Sequence, residues 1–242
     1  MKSKLAVLVT VWMLVLTGSA AASGAFATFV FENALTSLEI PIYEDPNGIW
    51  RVDNFEYETS EFSLRVHDLA LDPDPSIAYG IAVVDLGAPS VFGFLFGTPI
   101  VPTGAPNVVT SSIVGGLTDF TGDGVAMTPI GGPFIQTSEV GFPMTNMGVD
   151  VGPGLAAGPA SPGAFYNYGA YSSGPITGPA PGPWTFLTTS VTFGLSGGGD
   201  IAALTGFTSI EEGTVPVPEP ASLLLLSGGV AALAAAKRRK RS

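Results

Sequence analysis

The chain has 242 residues with 32 glycines, 21 prolines, no cysteine and a formal net charge of −11, which is enough for one ordinary domain plus processing segments. Seven of its nine lysines and arginines sit at the two ends, leaving Arg51 and Arg65 alone in the long middle. No basic stripe exists there to neutralise phosphates, so nucleic acid is excluded as a partner, and thiol and disulfide chemistry are excluded with cysteine.

The N-terminus reads as a secretory signal peptide over residues 1–25. Lys2 and Lys4 form a positive start, Leu5 to Leu16 is an apolar run broken only by Thr10, and small residues follow. Small-x-small pairs at Gly18/Ala20, Ala20/Ala22 and Ala25/Ala27 place cleavage between 20 and 27. An uncleaved membrane anchor is the alternative.

Residues 26–212 carry a period of two, the signature of half-buried strands. In "EFSLRVHDL", Phe62, Leu64 and Val66 share one face, and Glu61, Ser63, Arg65 and His67 the other. Phe55 and Tyr57 oppose Glu56 and Glu58. Ile77, Tyr79, Ile81 and Val83 form another apolar row, as do Leu187, Thr189, Val191, Phe193 and Leu195. Further strands are expected at Phe26–Glu32, Leu38–Tyr43, Val91–Phe96, Val108–Val114, Pro133–Val140 and Ile201–Phe207, punctuated by Gly, Pro, Asn and Asp. The fold class this implies is all-β, an antiparallel sandwich or jelly-roll-like domain. Residues 143–183 depart from the pattern. They are rich in Gly and Pro, and proline denies ladder hydrogen bonds, so a long surface loop is expected with one short aromatic strand or turn around Phe165–Tyr171. Phe165, Tyr166, Tyr168 and Tyr171 either stack on sugar rings or pin the loop to the sheet.

Few residues offer chemistry. His67 is the single histidine and falls on a polar strand face, which rules out a histidine-rich zinc site. "GLSGG", Gly194–Gly198, fits Gly-x-Ser-x-Gly, but no histidine follows it and a strand pattern succeeds it, so a glycine-rich hairpin turn is the better reading of Ser196. "GPGLAAG", Gly152–Gly158, lacks the strand–helix context of a dinucleotide loop. In "DFTGDG", Asp119 and Asp123 with flexible glycines could offer oxygen ligands to Ca²⁺, or cap their own turn. Asp72 and Asp74, and the acidic run Asp53–Glu61, could hold cations the same way, or serve as charges on an exposed edge that discourage strand addition. No catalytic residue and no other cofactor is assigned, and the chain is not expected to be an enzyme.

A linker then leads to Val217-Pro218-Glu219-Pro220, sixteen uncharged residues from Ala221 to Ala236, and the cluster Lys237, Arg238, Arg239, Lys240 and Arg241. As a transmembrane helix, 221–236 spans about 24 Å at roughly 1.5 Å per residue. That is slightly short of a hydrocarbon core of about 30 Å, a gap that snorkelling Lys237 helps to close. The basic cluster stays cytoplasmic by the positive-inside rule while the body is exported. No Leu-Pro-x-Thr-Gly sortase motif is present, and a lipid-anchor signal would lack the basic cluster. Pro218, Glu219 and Pro220, the apolar run and the terminal cluster together resemble the PEP-CTERM sorting tail, over about the last 26 residues. The resemblance implies an exosortase-type membrane protease as partner, in the inner membrane of a Gram-negative bacterium that makes extracellular polysaccharide. It implies transient membrane anchoring, then residence at the cell surface or in the biofilm matrix, with glycosylation common. A structural or exopolysaccharide-associated role is expected. A carbohydrate- or Ca-binding module is the alternative, and a polysaccharide hydrolase a weaker one.

Overall fold

The computed structural model describes residues 24–32, 36–103, 106–141, 143–179 and 183–213. The signal peptide expected at 1–25, apart from residues 24 and 25, the Val217–Pro220 motif, the transmembrane helix expected at 221–236 and the basic cluster lie outside the described residues. The described residues up to Glu212 form one compact unit.

All regular structure among the described residues is strand. In chain order the strands are β1 (Phe26–Phe31), β2 (Thr36–Glu39), β3 (Tyr43–Glu44), β4 (Trp50–Glu58), β5 (Phe62–Asp72), β6 (Ser76–Asp85), β7 (Ser90–Thr103), β8 (Asn107–Asp119), β9 (Val125–Pro129), β10 (Gln136–Val140), β11 (Thr145–Asn146), β12 (Leu155–Ala157), β13 (Ala164–Thr177), β14 (Trp184–Leu195) and β15 (Asp200–Glu212). They form two antiparallel sheets in a sandwich. One has the order β11-β10-β14-β7-β1-β2, with β9 on β14 and β12 on β9; the other runs β13-β8-β15-β6-β5-β4-β3. No helix among the described residues is long and apolar enough to cross a membrane.

The period of two decides which side chains meet between the sheets. Phe62, Leu64 and Val66 on β5 are buried, as are Ile77, Tyr79, Ile81 and Val83 on β6 and the alternating row from Leu187 to Leu195 on β14. A bulge between Val66 and Asp68 leaves both His67 and Asp68 exposed and returns Leu69 and Leu71 to the core. Phe29 packs on Phe62 and Phe94, with ring centroids 5.3 and 5.2 Å apart, joining the two sheets through offset aromatic contacts.

The Gly/Pro-rich segment is more ordered than its composition suggests. It holds β11, β12 and the fourteen-residue β13, which pairs with β8 along its whole length. Proline still sets the limit. β13 is the edge of its sheet, and Pro175 falls inside the register shift between Ser173 and Ile176. The "GLSGG" residues also differ from expectation. They connect β14 to β15, which belong to different sheets, so the turn is a crossover between layers rather than a hairpin. Gly197, Gly198 and Gly199 all have positive φ, and three consecutive left-handed residues turn the chain from one layer into the other.

Polar side chains of β10 reach across the apolar layer to the other sheet. Gln136, on β10 and fully buried, accepts from Tyr79 Oη at 2.6 Å and donates through Nε2 to Ser111 Oγ at 2.5 Å, Thr208 Oγ1 at 3.2 Å and the Phe207 carbonyl at 3.2 Å. Ser138 Oγ adds a 2.9 Å bond to Thr208. Gln136→Leu strands the Tyr79 hydroxyl in the core, so a loss of about 2–4 kcal/mol is expected. Urea unfolding measures it, and a loss below about 0.5 kcal/mol would contradict the inter-sheet role.

Candidate functional site

Three buried aspartates gather at one pole of the sandwich. In register, Asp85 on β6 pairs with Asp200 on β15, and Ile201 pairs with Thr118, which sets Asp200 beside Asp119. All three are buried on the inner face, at the ends of neighbouring strands. No lysine or arginine lies between Val66 and Ala236, so hydrogen-bond donors from the adjoining loops stabilise the carboxylates instead. Asp119 accepts from Gly122 N at 2.6 Å and Gly124 N at 2.9 Å. Asp200 accepts from Phe120 N at 3.2 Å and from the Ser196 hydroxyl. Asp85 accepts from Ser90 N at 3.0 Å. Each carboxylate therefore caps a loop.

The residues weighed for calcium occupy different settings. Asp119 is buried and turned to its loop amides, whereas Asp123 is exposed and accepts from the Thr121 hydroxyl. Among the described residues no group of three or more His, Cys, Asp or Glu is arranged to hold a metal ion. Asp72 caps the β5–β6 turn by accepting from Asp74 N at 2.9 Å. Ser196 accepts from Ala126 N at 2.8 Å and donates to Asp200, with a strand rather than a helix after it. Its bonding is that of a loop tie. Leu155–Ala157, within the "GPGLAAG" stretch, is β12.

Three of the four loop aromatics are fasteners. Tyr168 is buried and donates to the Pro153 carbonyl at 2.7 Å, with the Tyr171 ring centroid 5.1 Å away. Tyr166 donates to the Gly158 carbonyl at 2.9 Å. Phe165 is different, at 68% exposure. Its ring lies over Gly116, where a Cβ would run into the ring carbons.

Phe165 belongs to the outer face of the β13-β8-β15-β6-β5-β4-β3 sheet, which divides into two halves. On β4 and β5 that face is charged. Arg65 pairs with Glu56 beside Glu58, Ser63 and His67 around a shallow groove, and Arg51 Nε donates to Asp45 Oδ2 at 2.7 Å beyond it. The Arg51 guanidinium beside Asp45 holds that carboxyl below its ordinary value. On β6, β15, β8 and β13 the outward positions from Ser76 to Val84, Ile201 to Ser209, Thr110 to Thr118 and Phe165 to Ser172 carry no charge. Phe120 and Phe207, like Asp85, Asp200 and Gln136, escape the sequence reading. A lone Asp next to a glycine-containing turn, before it at Asp85 and after it at Asp200, is the one signal that could have found the two aspartates.

Residues 216–240 match the family model of the PEP-CTERM protein-sorting motif. The tail thus carries the motif, which implies export, C-terminal membrane anchoring and processing by an exosortase. No curated protein matches the chain. Among solved structures, TmCBM61 in complex with beta-1,4-galactotriose is similar at 12% identity and a TM-score of 0.26, covering 64% of this chain and 91% of that one. A TM-score that low is too weak to relate the two in detail, and the galactotriose belongs to that protein.

The aspartate row makes stability depend on pH. Burial pushes Asp85 from an ordinary 3.8 up to about 6, against the hydrogen bonds of Ser90 and the Gly87 amide, with repulsion from Asp200 adding to the rise. Burial also raises Asp200, with repulsion from Asp119 and Asp123 behind it. Between about pH 4 and pH 6 the folded chain retains a proton at Asp85 that the unfolded chain has released, so this contribution falls as pH rises. At about 1.4 kcal/mol per pKa unit, Asp85 accounts for up to about 3 kcal/mol. Asp85→Asn keeps an acceptor for Ser90 N and should flatten that part of the fall. Urea unfolding of both proteins at about pH 4 and pH 7 tests this, and equal pH dependence would remove Asp85 as the cause.

Proposed function

We propose that this is a surface or extracellular-matrix protein of a Gram-negative bacterium, delivered by its tail and serving a structural, exopolysaccharide-associated role outside the cell. The observation that carries the reading is the sorting motif at residues 216–240, attached to a β-sandwich whose buried carboxylates are used as loop caps. The reading assigns the body no catalysis and no resident cofactor.

Delivery follows from the order of the segments. The N-terminal apolar run directs export. The uncharged 221–236 helix holds the chain in the inner membrane, and Lys237 to Arg241 keep its tip cytoplasmic. Pro218 and Pro220 flank Glu219, and proline restricts both itself and the residue before it to extended backbone. The Pro218-Glu219-Pro220 segment therefore stays out of the helix and open to a protease active site. Cleavage there frees the sandwich.

Replacing Pro218, Glu219 and Pro220 together by alanine removes that recognition while leaving anchor and body intact. Fractionation of the native host should then find the variant held in the membrane fraction and the wild type at the surface or in the medium. Equal release of both would contradict exosortase processing.

A further inference from the structure

We infer that the uncharged half of the outer sheet face binds a neutral polysaccharide chain, with Phe165 and Phe120 as its stacking platforms. The inference rests on the extracellular placement above and adds to it the surface and the ligand class.

The first observation is how the two rings are held. Phe165, on edge strand β13, is 68% exposed and lies over Gly116 of β8. Phe120 follows β8 directly, is 61% exposed, and lies over Gly199, where a Cβ would come within 2.9 Å of Cδ1. Each ring therefore rests on a glycine with its other side toward solvent. Large apolar side chains left this open, in a chain that buries Phe29, Phe31, Phe62, Phe92, Phe94, Phe96 and Phe193 completely, call for a partner. Gly116 on β8 and Phe120, the residue after that strand, are four positions apart, about 13 Å at roughly 3.3 Å per extended residue. That span suits neighbouring residues of one chain better than a single small molecule.

The second observation is charge. Around the rings, the surface between them and Phe207 offers Val114, Ile201 and Ala203, with threonine, serine and asparagine among them. The outward positions between the rings and Phe207 hold no carboxylate or cation; the exposed carboxylates nearest to them are Asp123, on the loop after Phe120, and Glu211, at the far end of β15. The body carries nearly all of the 20 acidic residues with only Arg51 and Arg65 to oppose them. Anionic polymers are repelled by such a body. A neutral pyranose is not. One of its faces presents C–H groups to the negative face of an aromatic ring, and its hydroxyls find side-chain hydroxyl and amide partners. A second copy of this chain would also cover apolar surface, but the exposed threonine, serine and asparagine groups suit a hydroxyl-rich ligand. The face also lies toward the aspartate pole, whereas the chain leaves the sandwich at Glu212, at the opposite end of β15.

The test uses protein recovered from the native host. Affinity electrophoresis and calorimetry would be run with a soluble β-glucan, a β-galactan and a mannan, and with polygalacturonate as an anionic control. Binding to at least one neutral polymer is expected, with none to polygalacturonate. Phe165→Ala and Phe120→Ala should each lower affinity about tenfold, while Phe165→Trp keeps it. Phe134→Ala, an exposed phenylalanine on the other sheet's side, is the control that should leave affinity unchanged. Circular dichroism confirms folding of each variant. Absence of binding to all three neutral polymers, binding unmoved by both ring variants, or a dimer in sedimentation velocity that Phe165→Ala dissolves would each overturn the inference. Correct export and trimming of a protein that binds no glycan would leave the delivery reading standing and reject only this one.

Discussion

The side-chain amide of Gln136 fixes how one sheet sits on the other. An apolar layer between two sheets is held by burial, which is strong but non-directional. Shifting one sheet by a residue pair would bury much the same surface. Gln136 removes that freedom because its amide must satisfy Tyr79, Ser111 and Thr208 on three strands of the opposite sheet at once. Any slide leaves polar atoms unpaired in the core. The register of β6, β8 and β15 then determines which residues reach the pole and which reach the outer face.

The second constraint is the lack of cations. A body with Arg51 and Arg65 as its only basic residues cannot neutralise buried carboxylates with ion pairs. Asp85, Asp119 and Asp200 are served by backbone amides and a serine hydroxyl, so each carboxylate is also what shapes a loop. The same scarcity leaves the outward positions around Phe165 and Phe207 without a cation. Loop order, acid-favoured stability and a surface suited to an uncharged ligand share one compositional cause.

Much of the fold was legible because its signal is local. The alternation in Phe62–Val66, Ile77–Val83 and Leu187–Leu195 reports strands that each bury one face, and the all-β sandwich follows from their number and spacing. What escaped was non-local. β13 forms because β8 offers a full-length partner, and nothing inside a Gly/Pro-rich stretch announces that. The crossover at Gly197–Gly199 looks like a hairpin until the two sheets are known. Gln136 sits in an ordinary strand pattern, and its role needs Tyr79, 57 residues earlier in the chain. Of the candidate site, the sequence singled out Phe165 but not Phe120, whose ring lies against Gly199 of the distant β14–β15 connection. The tail was fully legible, since its three parts act through composition and order alone.

Delivery by the tail is the claim on which the functional account rests, and the mass of the mature protein tests it most directly. Intact mass with terminal sequencing should be measured on protein recovered from cells and medium of the native host. The account predicts a chain outside the cell that begins between residues 20 and 27 and lacks everything after the Val217–Pro220 region. A membrane-held chain still ending in Lys237–Ser242 would contradict it.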